Sequence, residues 1–241
     1  MKVLSIGNSF STDAHKFLHT LAALNGEDIY TANLFIGGCS LETHFTNVLE
    51  DNAYYDYEIN GSEAQEKISI ADALERNKWD IVTIQQASPY SGMYETYQPY
   101  LNNLAELVKS KLPEVKMYFH QTWAYEADSP HPGFANYSNS QQKMYDCIVY
   151  ASQQACKAID AKLIPTGTVI QTVRNDIKEF DYENGGTSLC RDGFHLSNDY
   201  GRYTAAATWL KSLTGKNIIS DTFNNLNPNL IKAINDIVNS L

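Results

Sequence analysis

The sequence predicts an α/β protein: a three-layer α/β/α sandwich around a central, mostly parallel, five-stranded sheet. Two observations carry this expectation. Short apolar runs alternate with longer stretches of helical periodicity from one end of the 241-residue chain to the other. Strand–helix alternation of this kind packs as a parallel sheet with helices on both faces. In addition, no repeat, linker or low-complexity tract breaks the rhythm. Residues 1–241 therefore read as a single domain, long enough to bury a full core.

The elements follow in order. Residues 2–6 read as a buried strand, since Val3, Leu4 and Ile6 are apolar and the run stops at Gly7-Asn8-Ser9. Residues 12–24 place Phe17, Leu18, Leu21 and Leu24 on one helical face, with Ser11 or Thr12 as the cap and Asn25-Gly26 as the stop. Residues 29–36 form the second strand, ending in Gly37-Gly38, and residues 41–49 a short helix. The alternation over 54–59, ahead of Asn60-Gly61, reads as an exposed strand or hairpin. Residues 70–78 are helical and lead into the third core strand at 80–84. Residues 97–112 make a helix stopped by Pro113, and residues 115–120 the fourth strand. A loop containing Pro and Ser runs from 123 to about 138, followed by a long helix over 141–159. A short fifth strand occupies 161–164 ahead of Pro165. Helices over 197–213, closed by Gly215, and over 228–238 complete the chain.

Composition narrows the function. Hydrophobic content of 43% and charged content of 19% are ordinary for a globular chain. A formal net charge of −10 leaves no basic patch to neutralise phosphates, which argues against nucleic-acid binding and against adhesion to anionic membranes. No run is long and apolar enough for a transmembrane helix. Met1-Lys2 leads straight into the first strand with no signal peptide. This points to the cytoplasm, or to a secreted or periplasmic protein whose chain begins at its mature end. Cys39, Cys147, Cys156 and Cys190 lack Cys-x-x-Cys spacing and read as unpaired thiols. The histidines do not cluster. His15 and His19, four apart on the first helix, read as a solvated face. No metal and no cofactor are therefore expected.

Two short pieces at opposite ends of the chain carry the chemistry. Ser9 follows the first strand, where an open α/β sheet builds its sites. Arg191-Asp192-Gly193-Phe194-His195 places a carboxylate three residues before an imidazole. A serine hydroxyl becomes a useful nucleophile when a base takes its proton, and a carboxylate on Nδ1 holds that base in the right tautomer. Ser9, His195 and Asp192 are thus the candidate nucleophile, general base and orienting acid. The Gly-x-Ser-x-Gly elbow of α/β-hydrolases is missing. For the oxyanion formed on attack, the backbone N–H of Ser9 and that of Gly38 are the candidate donors; a tight turn is the plainer reading of Gly37-Gly38.

These residues carry a family resemblance. Ile6-Gly7-Asn8-Ser9-Phe10-Ser11 resembles the first block of the SGNH/GDSL hydrolases, whose usual form is Gly-Asp-Ser. Gly37-Gly38-Cys39-Ser40 resembles the block that supplies an oxyanion-hole glycine, and Asp192-Gly193-Phe194-His195 resembles their last block, Asp-x-x-His. The third block departs: where the family usually reads Gly-x-Asn-Asp, this chain reads Ile84-Gln85-Gln86-Ala87-Ser88. The resemblance implies a flavodoxin-like fold and a serine esterase or acylhydrolase, with small acyl esters, acetylated sugars among them, as substrates. It also implies a third oxyanion donor, for which Gln86 is the candidate and Gln85 or Ser88 the alternates. Only one of the paired glutamines can face the site, because strand side chains alternate.

Aromatic residues follow the third and fourth strands, and Tyr90 and Trp123 are candidate substrate contacts suited to a sugar face. The expected partner is a small-molecule ester. Two other classes compete: a carbohydrate-binding protein that keeps this fold without turnover, and a metal-dependent phosphoesterase or nucleotide-binding flavodoxin-like protein. The second has neither a metal cluster nor a glycine-rich phosphate loop in the sequence.

Overall fold

The computed structural model describes residues 1–64 and 66–241. The central strand β1 (Lys2–Gly7) pairs in parallel with β2 (Tyr30–Phe35) on one side and β5 (Ile81–Ile84) on the other. Beyond β5 lie β6 (Lys116–His120) and β7 (Lys162–Ile164), also parallel. These are the five strands legible in the sequence. Among the described residues the sheet has seven, because the strand read over 54–59 joins β2 antiparallel as β3 (Tyr55–Ile59) and the two-residue β4 (Lys67–Ile68) pairs with β3 at the edge. A two-residue strand has no periodicity to read. The order across the sheet is β4-β3-β2-β1-β5-β6-β7.

Alternation along the strands splits the core in two. Val3, Ile81 and Tyr118 face α1 (Ser9–His15), α2 (Leu18–Leu24), α7 (Thr166–Asp176), α8 (Tyr200–Thr214) and α9 (Pro228–Asn239). Leu4, Ile6, Val82 and Ile84 face α3 (Leu41–Leu49), α4 (Ile70–Arg76) and α5 (Tyr100–Lys111). The long helix α6 (Gln141–Ile159) serves both cores, Met144 and Ile148 in one and Ala151 and Ala155 in the other. The helix expected over 12–24 starts at Ser9 and is interrupted at Lys16–Phe17, and its cap is Asn8 rather than Ser11 or Thr12. Helix α7 was not legible. Its Thr166, Thr168, Val169, Ile170, Thr172 and Val173 are β-branched and poor helix formers. Burial decides it: a Cβ on Gly167 would lie 2.0 Å from the Thr122 carbonyl, so only glycine lets α7 approach the chain leaving β6.

His15 is buried and not part of a solvated face. Its Nε2 meets Ser5 Oγ at 2.9 Å, and Ser5 Oγ meets Thr83 Oγ1 at 2.7 Å, a polar seam on the α8 face of the sheet. Burial pushes the imidazoles of His15, His44 and His120 down to about 3. Among the described residues, no helix is long and apolar enough to cross a membrane.

Candidate active site

The site forms at the carboxyl end of β1. Asn8 caps α1: its Oδ1 accepts from Phe10 N at 3.0 Å, while its own N–H donates to Ser11 Oγ at 3.0 Å. The capping box and the Thr12 N–H on the Asn8 carbonyl satisfy the first turn, with one exception. The Ser9 N–H has no partner among the described residues and stays available beside its own hydroxyl.

The second piece is the loop before α8. Asp192 Oδ1 accepts from Phe194 N at 3.2 Å and His195 N at 2.8 Å, folding the carboxylate back onto its own turn. Gly193 makes this possible with a φ of +85°, where a Cβ would also press on Ser129 and Pro130 at 3.0 Å. Asp192 Oδ2 then lies 2.7 Å from His195 Nδ1, and His195 Nε2 lies 2.9 Å from Ser9 Oγ. A carboxylate can only accept, so Nδ1 carries the proton and Nε2 presents its lone pair to the serine. Partial burial pushes the Asp192 carboxyl up, but the hydrogen bonds from the His195 ring and from the His195 and Phe194 N–H groups outweigh it and hold the pKa below the ordinary 3.8.

The structure brings Ser9, His195 and Asp192 together, and the amides of the paired glutamines take other partners. Gln86 points to the α3 side: its Oε1 accepts from Leu41 N and Ala87 N, and its Nε2 donates to the Thr96 carbonyl and hydroxyl. Gln85 points the opposite way, as alternation requires. It donates from Nε2 to Asn8 Oδ1 at 2.8 Å and accepts at Oε1 from His120 Nδ1 at 2.6 Å. Ser88 is buried, with its Oγ 2.8 Å from the Tyr125 hydroxyl. Of the three candidate side-chain donors, none is bonded to Ser9 or His195: each holds the partners just named, and Gln86 also lines the cleft beside Gly38. Gly38 lies in an exposed loop with a φ of +64°, and its N–H has no partner among the described residues.

Trp123 is corrected too. It is fully buried, stacks on Phe10 with ring centroids 4.2 Å apart, and donates from Nε1 to the Phe194 carbonyl at 2.7 Å. It braces the two halves of the site from within and cannot touch a substrate. Tyr90 is 41% exposed and borders a cleft of about 520 Å³ beside Gly38, along with Gln86, Ser40, Glu42, Thr43 and Thr96. Two residues escaped the sequence reading. His131 stands against Phe194 at 4.8 Å between ring centroids, and Phe194 in turn lies 4.3 Å from the His195 ring. Burial, then the neighbouring His195, lowers the His131 pKa against the pull of Asp192. Asp13, buried on α1 one turn beyond Ser9, accepts from Arg191 Nη1 at 2.9 and 3.0 Å, from Arg202 Nε at 2.9 Å, and from Leu196 N at 2.9 Å. The one signal for it was a lone carboxylate beside Ala14 in a helix otherwise built for burial.

Comparison with known proteins bears on this architecture. The family described as Domain of unknown function (DUF4886) matches residues 2–235, and the chain belongs to that family. A crystal structure of a DUF4886 family protein from Bacteroides uniformis is 37% identical with a TM-score of 0.91, covering 100% of this chain and 93% of that one. A protein from Slackia heliotrinireducens assigned as an SGNH hydrolase is 21% identical with a TM-score of 0.60, covering 88% and 98%. A catalytic mutant of an acetylxylan esterase from Geobacillus stearothermophilus is 16% identical with a TM-score of 0.57, covering 91% and 96%. The fold is that of the SGNH/GDSL hydrolases. The comparison with curated proteins found no match.

Proposed function

We propose that this member of the DUF4886 family is a serine esterase that removes a small acyl group, acetyl foremost, from a hydroxyl of a carbohydrate. The observation that carries the reading is the unbroken chain from Asp192 Oδ2 through His195 to Ser9 Oγ, at 2.7 and 2.9 Å. In that reading Ser9 Oγ attacks the ester carbonyl carbon as His195 Nε2 takes its proton, and Asp192 steadies the imidazolium. The ester C–O bond then breaks, and His195 returns the proton to the departing alcohol, leaving acyl-Ser9. Water, deprotonated by the same nitrogen, releases the acid. The negative charge on the carbonyl oxygen falls to two backbone donors, Ser9 N–H and Gly38 N–H.

The cleft beside Gly38 supports a polar alcohol part: its hydroxyls, the Glu42 carboxylate and the half-exposed Tyr90 suit a sugar better than a lipid chain. The fold shared with an acetylxylan esterase supports acetyl as the acyl group by analogy. The missing third donor favours one rival, a carbohydrate-binding protein without turnover. Hydrolysis of p-nitrophenyl acetate in the presence of a chelator, with Ser9→Ala alongside, decides between them. Turnover that needs Ser9 and survives chelation supports the esterase, and a wild type without turnover sinks it.

A further inference from the structure

The geometry points to Asp13 as a positioning residue that locks the Asp192–His195 loop onto the helix carrying Ser9, an inference that rests on the esterase reading. Ser9 and Asp13 are four residues apart on α1 and share one face of it. The hydroxyl at the start of the helix meets the imidazole, and the carboxylate one turn later meets the Leu196 N–H on one side of that loop and the Arg191 guanidinium on the other. Leu196 N–H, immediately after His195, donates to Asp13 Oδ2, and Arg191, immediately before Asp192, places its Nη1 on both carboxylate oxygens. Arg202 on α8 adds a third attachment through Nε at 2.9 Å and Nη2 at 2.8 Å to Oδ1. The Arg191 guanidinium also donates to the Leu196 carbonyl, and Arg191 N–H to the His195 carbonyl at 2.9 Å, closing the loop on itself around the carboxylate.

The chemistry gives this arrangement a reason. Asp192 and His195 are partly exposed, their side chains 40% and 21% open to solvent, and the segment from Arg191 to Leu196 has no helix or strand to stiffen it. The Asp13 side chain is only 1% exposed, and nothing in the geometry of Ser9 or His195 touches it directly. A carboxylate with two guanidinium partners and a backbone N–H is held by charge-assisted bonds in a site shielded from water, where such bonds are strongest. It fixes the distance from His195 Nε2 to Ser9 Oγ through one rigid helical turn, and does so without entering the proton path.

The test compares wild type with Asp13→Asn and Arg191→Gln. The second variant leaves Asp13 paired with Arg202 and Leu196 N–H, and so keeps the buried carboxylate compensated if the first fails to fold. Steady-state kinetics on p-nitrophenyl acetate are read with the NMR signal of the His195 Nδ1 proton in the same samples. In a folded variant kcat is expected to fall about 10²-fold, as for a displacement on the order of 1 Å, with KM within about twofold of wild type. The Nδ1 proton signal is expected to broaden or vanish. A folded variant that keeps wild-type kcat, or keeps the Nδ1 signal unchanged, overturns the assignment. A wild type that turns over no ester removes the esterase reading instead, and the Nδ1 comparison still decides whether Asp13 holds the loop.

Discussion

Asn8 Nδ2 donates to the Cys39 carbonyl at 3.1 Å, a single hydrogen bond tying the turn of Ser9 to the loop of Gly38 across 31 residues of chain. The turn carrying one of the backbone donors proposed for the oxyanion is therefore tied to the loop carrying the other. Preorganised donors lower a barrier only when they are in place before charge develops. Replacing Asn8 by aspartate, the residue usual in the related Gly-Asp-Ser block, keeps the cap oxygen but turns a donor into a carboxylate facing a carbonyl. Asn8→Asp is expected to lower kcat by about 10²-fold or more while leaving KM nearly unchanged. Equal kcat for the two proteins on an activated acetyl ester would break this link.

Ser9→Ala should abolish turnover and leave the fold intact. The Ser9 side chain is partly exposed at the end of the sheet, so its loss opens no cavity in either core. Thermal unfolding by circular dichroism should match wild type to within a few degrees. Residual turnover close to wild type in a folded Ser9→Ala protein would take Ser9 out of the mechanism.

Asp192 should act on His195 as an ionised carboxylate. Its hydrogen bonds hold its carboxyl below the ordinary carboxylate range, so it is ionised at neutral pH. Asp192→Asn should lower kcat by about 10⁴-fold by upsetting the tautomer. A rate that does not change with that substitution would leave the orientation of His195 to the backbone.

Gln86→Ala is expected to cost stability and little else. It strips partners from the Leu41 and Ala87 N–H groups and from Thr96, each buried group left unpaired costing about 1–3 kcal/mol. The urea midpoint should drop while kcat stays within about threefold of wild type, since no transition-state contact is lost. A kcat lowered by orders of magnitude with an unchanged midpoint would restore Gln86 to the oxyanion site.

Acid should destabilise the protein from the imidazole range downward. His15, His44 and His120 are held neutral by burial, with pKa values lowered from 6.5 to about 3. The unfolded chain binds these protons near pH 6.5 and the folded chain does not. Their neutral burial therefore costs nothing above that pH, and stability is lost as pH falls toward 3. The slope is about 1.4 kcal/mol per pH unit for each imidazole. Urea midpoints measured from pH 7 to pH 4 should fall accordingly, and a flat profile would mean that these rings are protonated in place.

The five parallel strands and the pairing of Ser9 with Asp192 and His195 were legible because each rests on local signals: an apolar run, a turn, and a spacing of three. The residues that hold them were not. Strand alternation tells that Gln85 and Gln86 diverge, but not which of them meets α3. Trp123 looked like a sugar platform because an aromatic after a strand reads the same whether it stacks outward on a ligand or inward on Phe10. Asp13 and Asn8 work through partners 178 to 189 and 31 to 77 positions away, and no pattern in the sequence reaches so far.

The bond between Ser9 and His195 spans 186 residues, and that separation sets a clock on synthesis. At about 5–20 residues per second, a growing chain carries its serine for roughly 10–40 s before the histidine has been translated. Throughout that interval the hydroxyl has no base and the exposed turn is chemically silent. A chain that stops short of His195 leaves Ser9 without its base. Hydrolysis, where it occurs, is the signature of a chain extended past His195 and folded back onto Ser9.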